Sequence, residues 1–200
     1  MPKRMAVDMS GSLWYTYIIL YYIAALQRRS ASTERMKGNA MVPIIYESQT
    51  GHARRYAELL AKRLGGEALS LKQAKKSVAK GSGVVFIGWV FANQIRGFSA
   101  ACKRWDVKAV CAVGMFPECE ANTAALTEKN KPQCPLFYLR GGLDPSKLTG
   151  LRRKLLCLVR DDLVREGKPE NKELAELLTT GADFVSEEAL SQIAALCLTL

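Results

Sequence analysis

From Val42 onward, short apolar runs alternate with longer segments in which apolar residues recur every three or four positions. The short runs carry little charge and are bounded by glycine or proline, which is typical of strands that are covered on both faces of a parallel sheet. The predicted strands are the run around Ile44–Tyr46 and residues 68–71, 84–89, 109–114 and 136–139.

The longer segments predict helices. In the first, Ala53, Tyr56, Ala57, Leu60 and Leu64 form one apolar face. The predicted helices are residues 51–64, 97–104, 119–129, 146–165 (where Leu148, Leu151, Leu155 and Leu158 recur), 171–179 and 186–197. Five strand–helix units of this kind predict an α/β protein: a doubly wound, three-layer fold with a five-stranded parallel sheet. Ligands of such folds lie beyond the carboxyl ends of the strands, where the strand order reverses.

The residues before the first strand differ in character. Residues 13–26 are apolar and aromatic and lie between basic residues, but they are shorter than the roughly 20 residues that span a bilayer. Three interpretations stay open: a membrane-interface anchor, an apolar helix packed on the domain, or an upstream extension with Met41 as an alternative start. We expect an N-terminal extension over 1–40 that ends in a polar linker, a ligand-binding domain over 41–165, and a C-terminal helical extension over 166–200 that packs on that domain.

The chain carries a net charge of +10, which raises the question of an anionic partner. Neither a zinc-ligand spacing nor a basic stripe with interleaved aromatic residues occurs, so we expect no nucleic acid and no metal. A solvated basic surface and contact with an anionic membrane remain as explanations of the charge. The six cysteines form no C-x-x-C pair, which favours a reducing, cytoplasmic location. Association with a membrane would then involve residues 13–26.

The most specific chemical signal follows the first strand. A turn with hydroxyl groups and a glycine leads directly into the first helix, so that unpaired helix N–H groups and side-chain hydroxyls can surround a phosphate. Glycine allows the backbone to approach the anion closely. The candidate phosphate-binding residues are Ser48, Gln49, Thr50, Gly51, His52 and Ala53.

Two more loops follow the third and fourth predicted strands, so the fold brings them to the same edge of the sheet. One supplies flat aromatic side chains and hydrogen-bonding groups, and the other supplies apolar side chains and backbone amides. The candidate residues are Trp89, Phe91, Ala92 and Asn93 in one loop and Gly114, Met115, Phe116 and Pro117 in the other. A phosphate site beside aromatic surfaces is what flavin mononucleotide (FMN) requires.

Motifs of other nucleotide-binding folds do not occur. The chain contains neither Gly-x4-Gly-Lys-Ser/Thr nor Gly-x-Gly-x-x-Gly. The third strand ends in Gly88-Trp89, where a phosphoacceptor receiver domain would have an aspartate. Because these motifs are absent, the sequence does not support a P-loop nucleotidase, a dinucleotide-binding domain or a receiver domain.

The segment 48–53 resembles the phosphate fingerprint of the flavodoxin family, Thr/Ser-x-Thr-Gly-Asn-Thr. It matches at the first four positions and differs at His52 and Ala53. The resemblance covers about residues 42–165 and implies an FMN-binding oxidoreductase or electron-transfer protein. Residues 137–144, with the basic helix after them, are similar to the branch that contains menaquinone-dependent protoporphyrinogen oxidase. That similarity implies a quinone or porphyrin substrate, and it raises Arg140 as a contact for an anionic substrate, against its being a surface cation or the partner of an acid.

A different class of function also fits the residues. Ala53 lacks the hydroxyl of the fingerprint, the chain is basic, and its N-terminal segment is apolar. The chain could accordingly be a non-catalytic flavodoxin-like interaction or regulatory module with weakened flavin binding. Flavin titration distinguishes this hypothesis from the redox hypothesis.

Overall fold

The structure of the protein, a computed structural model, describes residues 42–200, without the side chains of residues 169 and 170. The predicted apolar segment 13–26 and the polar linker after it lie outside the described residues. Within residues 42–200, no helix has both the length and the hydrophobicity that crossing a bilayer requires.

A mostly parallel sheet forms the centre of the described part. The strands are β1 (Ile44–Glu47), β2 (Ala68–Ser70), β3 (Gly83–Phe91), β4 (Gln94–Ile95), β5 (Asp106–Gly114), β6 (Leu136–Arg140), β7 (Gly142–Leu143) and β8 (Ala182–Asp183). Five strands are parallel in the order β2-β1-β3-β5-β6, which is 2-1-3-4-5 when the parallel strands alone are counted along the chain. The α/β class and the five parallel strands are confirmed. The sheet also has a sixth strand that was not predicted, β4, which pairs antiparallel with β3.

Seven α-helices are described in residues 42–200. They are α1 (His52–Leu64), α2 (Leu71–Ser77), α3 (Phe98–Cys102), α4 (Glu120–Asn130), α5 (Gly150–Glu166), α6 (Pro169–Thr180) and α7 (Ser191–Cys197), with 3-10 turns at Pro145–Lys147 and Glu188–Leu190. The pattern missed α2, which begins with a capping box in which the Ser70 hydroxyl accepts from the Gln73 N–H. It also placed two helix starts too early. The segments predicted from 146 and 186 each begin near a 3-10 turn, and α5 and α7 start only at Gly150 and Ser191.

Both faces of the sheet are covered, as the continuous apolar runs predict. Ile45, Phe86 and Val110 belong to one core cluster, together with side chains of α3 and α4. Because side chains alternate along a strand, their neighbours point to the opposite face, where α1 contacts β1 and β3. Tyr56 and Leu60 of α1 are fully buried there.

The C-terminal residues add to the body by three contacts. Strand β8 pairs with β7, with Gly142 opposite Asp183 and Leu143 opposite Ala182. Helix α6 packs along α5, and α7 contacts α1. The segment after residue 165 therefore reaches the edge of the sheet near β6 and the outer side of α1.

Candidate functional site

A cavity of about 390 Å³ lies beyond the carboxyl ends of β1, β3 and β5. This is the place where the strand order reverses, because β1 and β3 are neighbours while β2 lies on the far side of β1. Its volume is in the range of sites for small molecules, and most of its lining surface is apolar. The loops after the three strands form its inner wall, and residues of α5 form the opposite wall.

Most of the predicted site residues line this cavity. They are Ser48, Gln49, Thr50, His52, Ala53, Trp89, Phe91, Ala92, Asn93, Gly114, Met115 and Phe116. Gly51 lines a second, more polar cavity on the other side of the same loop. Pro117 lines neither cavity; its carbonyl instead accepts a hydrogen bond from Asn122 Nδ2 at 3.2 Å. The three predicted loops thus come together at one edge of the sheet, and of their predicted site residues only Gly51 and Pro117 do not line the first cavity.

The turn from β1 into α1 has the geometry of an anion-binding loop. Gly51 has φ 105°, a left-handed conformation that residues with a side chain rarely adopt. Its N–H donates to Ser48 Oγ at 3.2 Å, and Thr50 Oγ1 lies 3.0 Å from His52 Nδ1. The first N–H groups of α1 have no partner within the helix and carry the positive end of its dipole. Thus the loop can hold an anion with main-chain groups and two hydroxyls.

His52 is the one buried polar residue of the described core, with 8% of its surface exposed. Burial lowers the pKa of His52, and the nearby cations Arg55 and Lys147 lower it further, while Asp183 opposes them. Asp183 Oδ1 lies 3.9 Å from His52 Nε2. The balance favours a neutral imidazole at neutral pH, so His52 contributes to the loop as a hydrogen-bonding group.

Two cations near the loop were not predicted as site residues. Lys147 Nζ would lie 4.0 Å from a Cβ built on Gly51, and it forms an ion pair of 2.9 Å with Asp144. Hydrogen bonds from Ser146 and Lys147 lower the pKa of Asp144 to about 2. Arg152 donates to Gln49 Oε1, and its guanidinium carbon lies 5.4 Å from the centroid of the Trp89 ring. The sequence signal for both cations was the basic start of the segment 146–165.

The aromatic loop is a tight β-hairpin. Ala92 and Asn93 have φ 49° and 58°, the pattern of a two-residue turn between β3 and β4. Asn130 of α4 holds the turn through two bonds, from its Nδ2 to the Asn93 carbonyl at 2.8 Å and from the Ile95 N–H to its Oδ1 at 2.9 Å. This arrangement places the rings of Trp89 and Phe91 next to each other, with centroids 5.9 Å apart.

The end of β5 forms the tightest part of the cavity wall. A Cβ on Gly114 would lie 2.1 Å from the Tyr138 hydroxyl, so a side chain at this position would have to displace the Tyr138 ring. That hydroxyl donates to the Phe116 carbonyl at 2.8 Å, and burial raises the pKa of Tyr138 to about 12. Tyr138 is therefore a fixed, protonated donor that shapes the loop after β5.

Several lining residues were not predicted as site residues; Val90 and Val113 lie beside predicted ones, and the others come from later segments of the chain. The residues not predicted are Val90, Val113, Asn122, Leu126, Tyr138, Gly142, Leu143, Leu148, Arg152, Leu155, Leu156, Val159 and Leu178. The leucine periodicity of 146–165 was visible in the sequence, but not its position over the strand ends. Arg140 lies outside both cavities. It is partly buried, and its guanidinium stacks 3.6 Å above the centroid of the Phe184 ring. Contact with an anionic substrate stays a prediction.

Among residues 42–200, no group of histidine, cysteine or acidic side chains is arranged to hold a metal ion. Comparison of the sequence with protein-family models and with curated protein sequences gives no match. The argument for a function consequently starts from the residues of the cavity.

Proposed function

We propose that the protein binds FMN in the cavity at the strand ends and acts in redox chemistry as a flavodoxin-like protein. The observation that carries the proposal is the meeting of an anion-binding loop and an aromatic hairpin at one apolar cavity. The strand order 2-1-3-4-5, with a cavity beside β1 and β3, is the order in which flavodoxin-like folds place their flavin.

The loop after β1 fits the phosphate of FMN. The N–H groups at the start of α1 and the hydroxyls of Ser48 and Thr50 would contact the phosphate oxygens. Ala53 offers no hydroxyl, but the ammonium group of Lys147 lies close to Gly51 and supplies a positive charge that the fingerprint does not contain. Arg152 adds a second cation beside Gln49.

The hairpin and the loop after β5 fit the flavin ring. Trp89 and Phe91 offer flat surfaces, and residues 114–116 offer backbone groups next to them. A bound flavin would supply the electron or hydride chemistry; the protein would hold the ring, orient it and exclude water. No acidic or basic side chain is needed for that role. A quinone or a porphyrin is the narrower proposal for the substrate, and it rests on the resemblance of residues 137–144 to the protoporphyrinogen oxidase branch.

Titration with FMN and with riboflavin tests the proposal. The purified protein is expected to quench the fluorescence of FMN and to bind riboflavin, which lacks the phosphate, more weakly. Replacing Lys147 by methionine should weaken the binding of FMN by roughly tenfold, since a charge-assisted contact is lost, and should leave the binding of riboflavin almost unchanged. Lys76→Met, at an exposed position of α2, is the matched control. A protein that binds neither flavin would refute the proposal.

The second candidate, a non-catalytic module with weakened flavin binding, is favoured by one observation. Ala53 lies in the phosphate loop and is 1% exposed, so a water molecule has little room to replace the missing hydroxyl. The variant Ala53→Thr distinguishes the candidates, with Ala53→Val as a control of similar shape and no hydroxyl. Weak FMN binding that Thr restores and Val does not would support a degraded site. Tight binding in the unchanged protein would exclude this candidate.

A further inference from the structure

Helix α5 has an apolar face that nothing in the described part of the chain covers. None of the helix's 17 residues is buried, although it contains several leucines and valines. Leu151 is 81% exposed and Leu158 62% exposed, and Leu155 and Val159 are exposed as well. These four residues follow helical spacing and point to one side of the helix. We call them, with the basic residues around them, the α5 surface.

The α5 surface is positively charged. Residues 146–159 contain four basic residues and no acidic one: Lys147, Arg152, Arg153 and Lys154. The next acids on the helix are Asp161 and Asp162, and these form ion pairs with Arg160 and Arg165. Asp162 marks the end of the apolar stripe. Lys147 is paired with Asp144, whereas Arg152, Arg153 and Lys154 form no ion pair with another described residue. The exposed leucines of the first turns therefore lie beside cations that no acid neutralises.

The surface adjoins the mouth of the cavity. Leu155, Val159 and Arg152 line the cavity from the α5 side. Phe91 and Phe116, which line it from the strand side, are nearly half exposed. Apolar side chains thus continue from the cavity lining onto the outer surface of the protein.

We infer that the α5 surface docks on an anionic phospholipid membrane, with Leu151, Leu155 and Leu158 entering the headgroup boundary. An apolar helical face flanked by lysine and arginine is typical of helices that lie in a membrane interface. Such docking turns the cavity mouth toward the lipid and gives an apolar molecule a path into it without crossing water. This inference concerns α5 and does not depend on which ligand the cavity holds.

Charge decides against a second copy of this chain as the occupant of the α5 surface. A second copy would bring the same four cations against these four. An anionic lipid surface is attracted by the cations and accepts the leucines, and each lysine or arginine near such a surface adds about 1 kcal/mol.

Flotation of the full chain with vesicles tests the inference. Vesicles of phosphatidylcholine with phosphatidylglycerol should bind the protein, and vesicles of phosphatidylcholine alone should bind it weakly. The double substitution Leu151→Asp and Leu158→Asp should lower the partition coefficient by about tenfold or more, because two side chains that enter the boundary become charged. Neither residue lines the cavity. Leu198→Asp, at a position 79% exposed in the C-terminal segment, is the matched control and should change binding less than about twofold.

Reversing the charge of a basic residue on α5 is an independent test. Lys154→Glu should weaken binding to the anionic vesicles by about fivefold or more, while Lys72→Glu and Lys76→Glu on α2 should have a smaller effect. If the leucine substitutions left binding to the anionic vesicles intact, the inference would be overturned and binding would be assigned to another segment. If the unchanged protein did not bind the vesicles, the inference would also be overturned. Sedimentation equilibrium completes the test. A dimer that Leu151→Asp and Leu158→Asp dissociate would show that the surface joins two copies, and would overturn docking on lipid.

Discussion

Helices α1 and α5 face the same cavity and were predicted from the same apolar periodicity, but they are packed very differently. In α1, six of 13 residues are buried, including Tyr56 and Leu60. In α5, none of 17 residues is buried. The first helix lies on the sheet, where it contacts β1 and β3, whereas the second packs mainly along α6.

The difference shows what an apolar stripe does and does not establish. Periodicity locates the side of a helix that avoids water, but the topology of the sheet decides whether protein covers that side. Helix α1 connects the adjacent parallel strands β1 and β2, so the sheet covers it. Helix α5 follows the last parallel strand, and no further strand of the parallel sheet comes after it in the described residues. The cavity consequently has a tightly packed inner wall and an exposed outer wall.

The strongest test of this contrast removes the same side chain from each helix. Leu60→Ala should lower the free energy of unfolding by about 2–5 kcal/mol, because it leaves a void in a fully packed position. Leu151→Ala should change it by less than about 0.5 kcal/mol, since that leucine is mostly in water. Denaturation of the full chain in urea measures both values. Similar losses at the two positions would mean that α5 is covered in solution.

A second test addresses the tightness of the inner wall at Gly114. The methyl group of Gly114→Ala would overlap the Tyr138 hydroxyl, and displacing that ring should cost about 1–3 kcal/mol of stability. Gly83→Ala is the control, because its methyl group would meet only the flexible side chain of Lys108. Combining Gly114→Ala with Tyr138→Phe should cost less than the sum of the two single changes. If the stability losses of the two single variants were strictly additive, the methyl group of Gly114→Ala would be accommodated without displacing Tyr138.

The inner wall was also the part of the site that could be predicted from the sequence. Ser48–Ala53, Trp89–Asn93 and Gly114–Phe116 lie at or just after the carboxyl ends of strands, and parallel strands bring these ends to one edge. The outer wall could not be predicted, because the lining role of Leu155, Val159 and Arg152 depends on how α5 returns over the sheet. The hairpin strand β4 was missed because two residues are too short a run to show periodicity.

A smaller change in stability is expected from substitutions in the hairpin turn at Ala92 and Asn93, which belongs to the inner wall. Ala92 has φ 49°, which costs an alanine roughly 1 kcal/mol relative to glycine. Ala92→Gly should therefore stabilise the protein by about 0.5–1 kcal/mol. Asn93→Gly should increase the stability by a smaller amount, since asparagine tolerates this conformation. Thermal unfolding of the two variants measures the difference. A loss of stability in Ala92→Gly would mean that its methyl group packs in the cavity wall.

The smallest effect concerns the pH dependence of the inner wall. His52 is the only histidine of the chain, and its folded pKa lies below the ordinary value of 6.5. Below pH 6.5 the unfolded chain binds a proton that the folded chain does not, so the free energy of unfolding should fall as the pH decreases from 6.5 toward the folded pKa. Above pH 6.5 both states are neutral, and this contribution should be constant.

The variant His52→Asn isolates that contribution, because the asparagine amide keeps a hydrogen-bonding group at the position of Nδ1 near Thr50 and does not titrate. The difference in unfolding free energy between the unchanged protein and the variant should be flat above pH 6.5 and should decrease below it, as followed by urea denaturation at several pH values. A difference that grows on acidification would show that Asp183 outweighs burial and raises the pKa of His52. The imidazolium would then be available as a further cation beside the loop that begins α1.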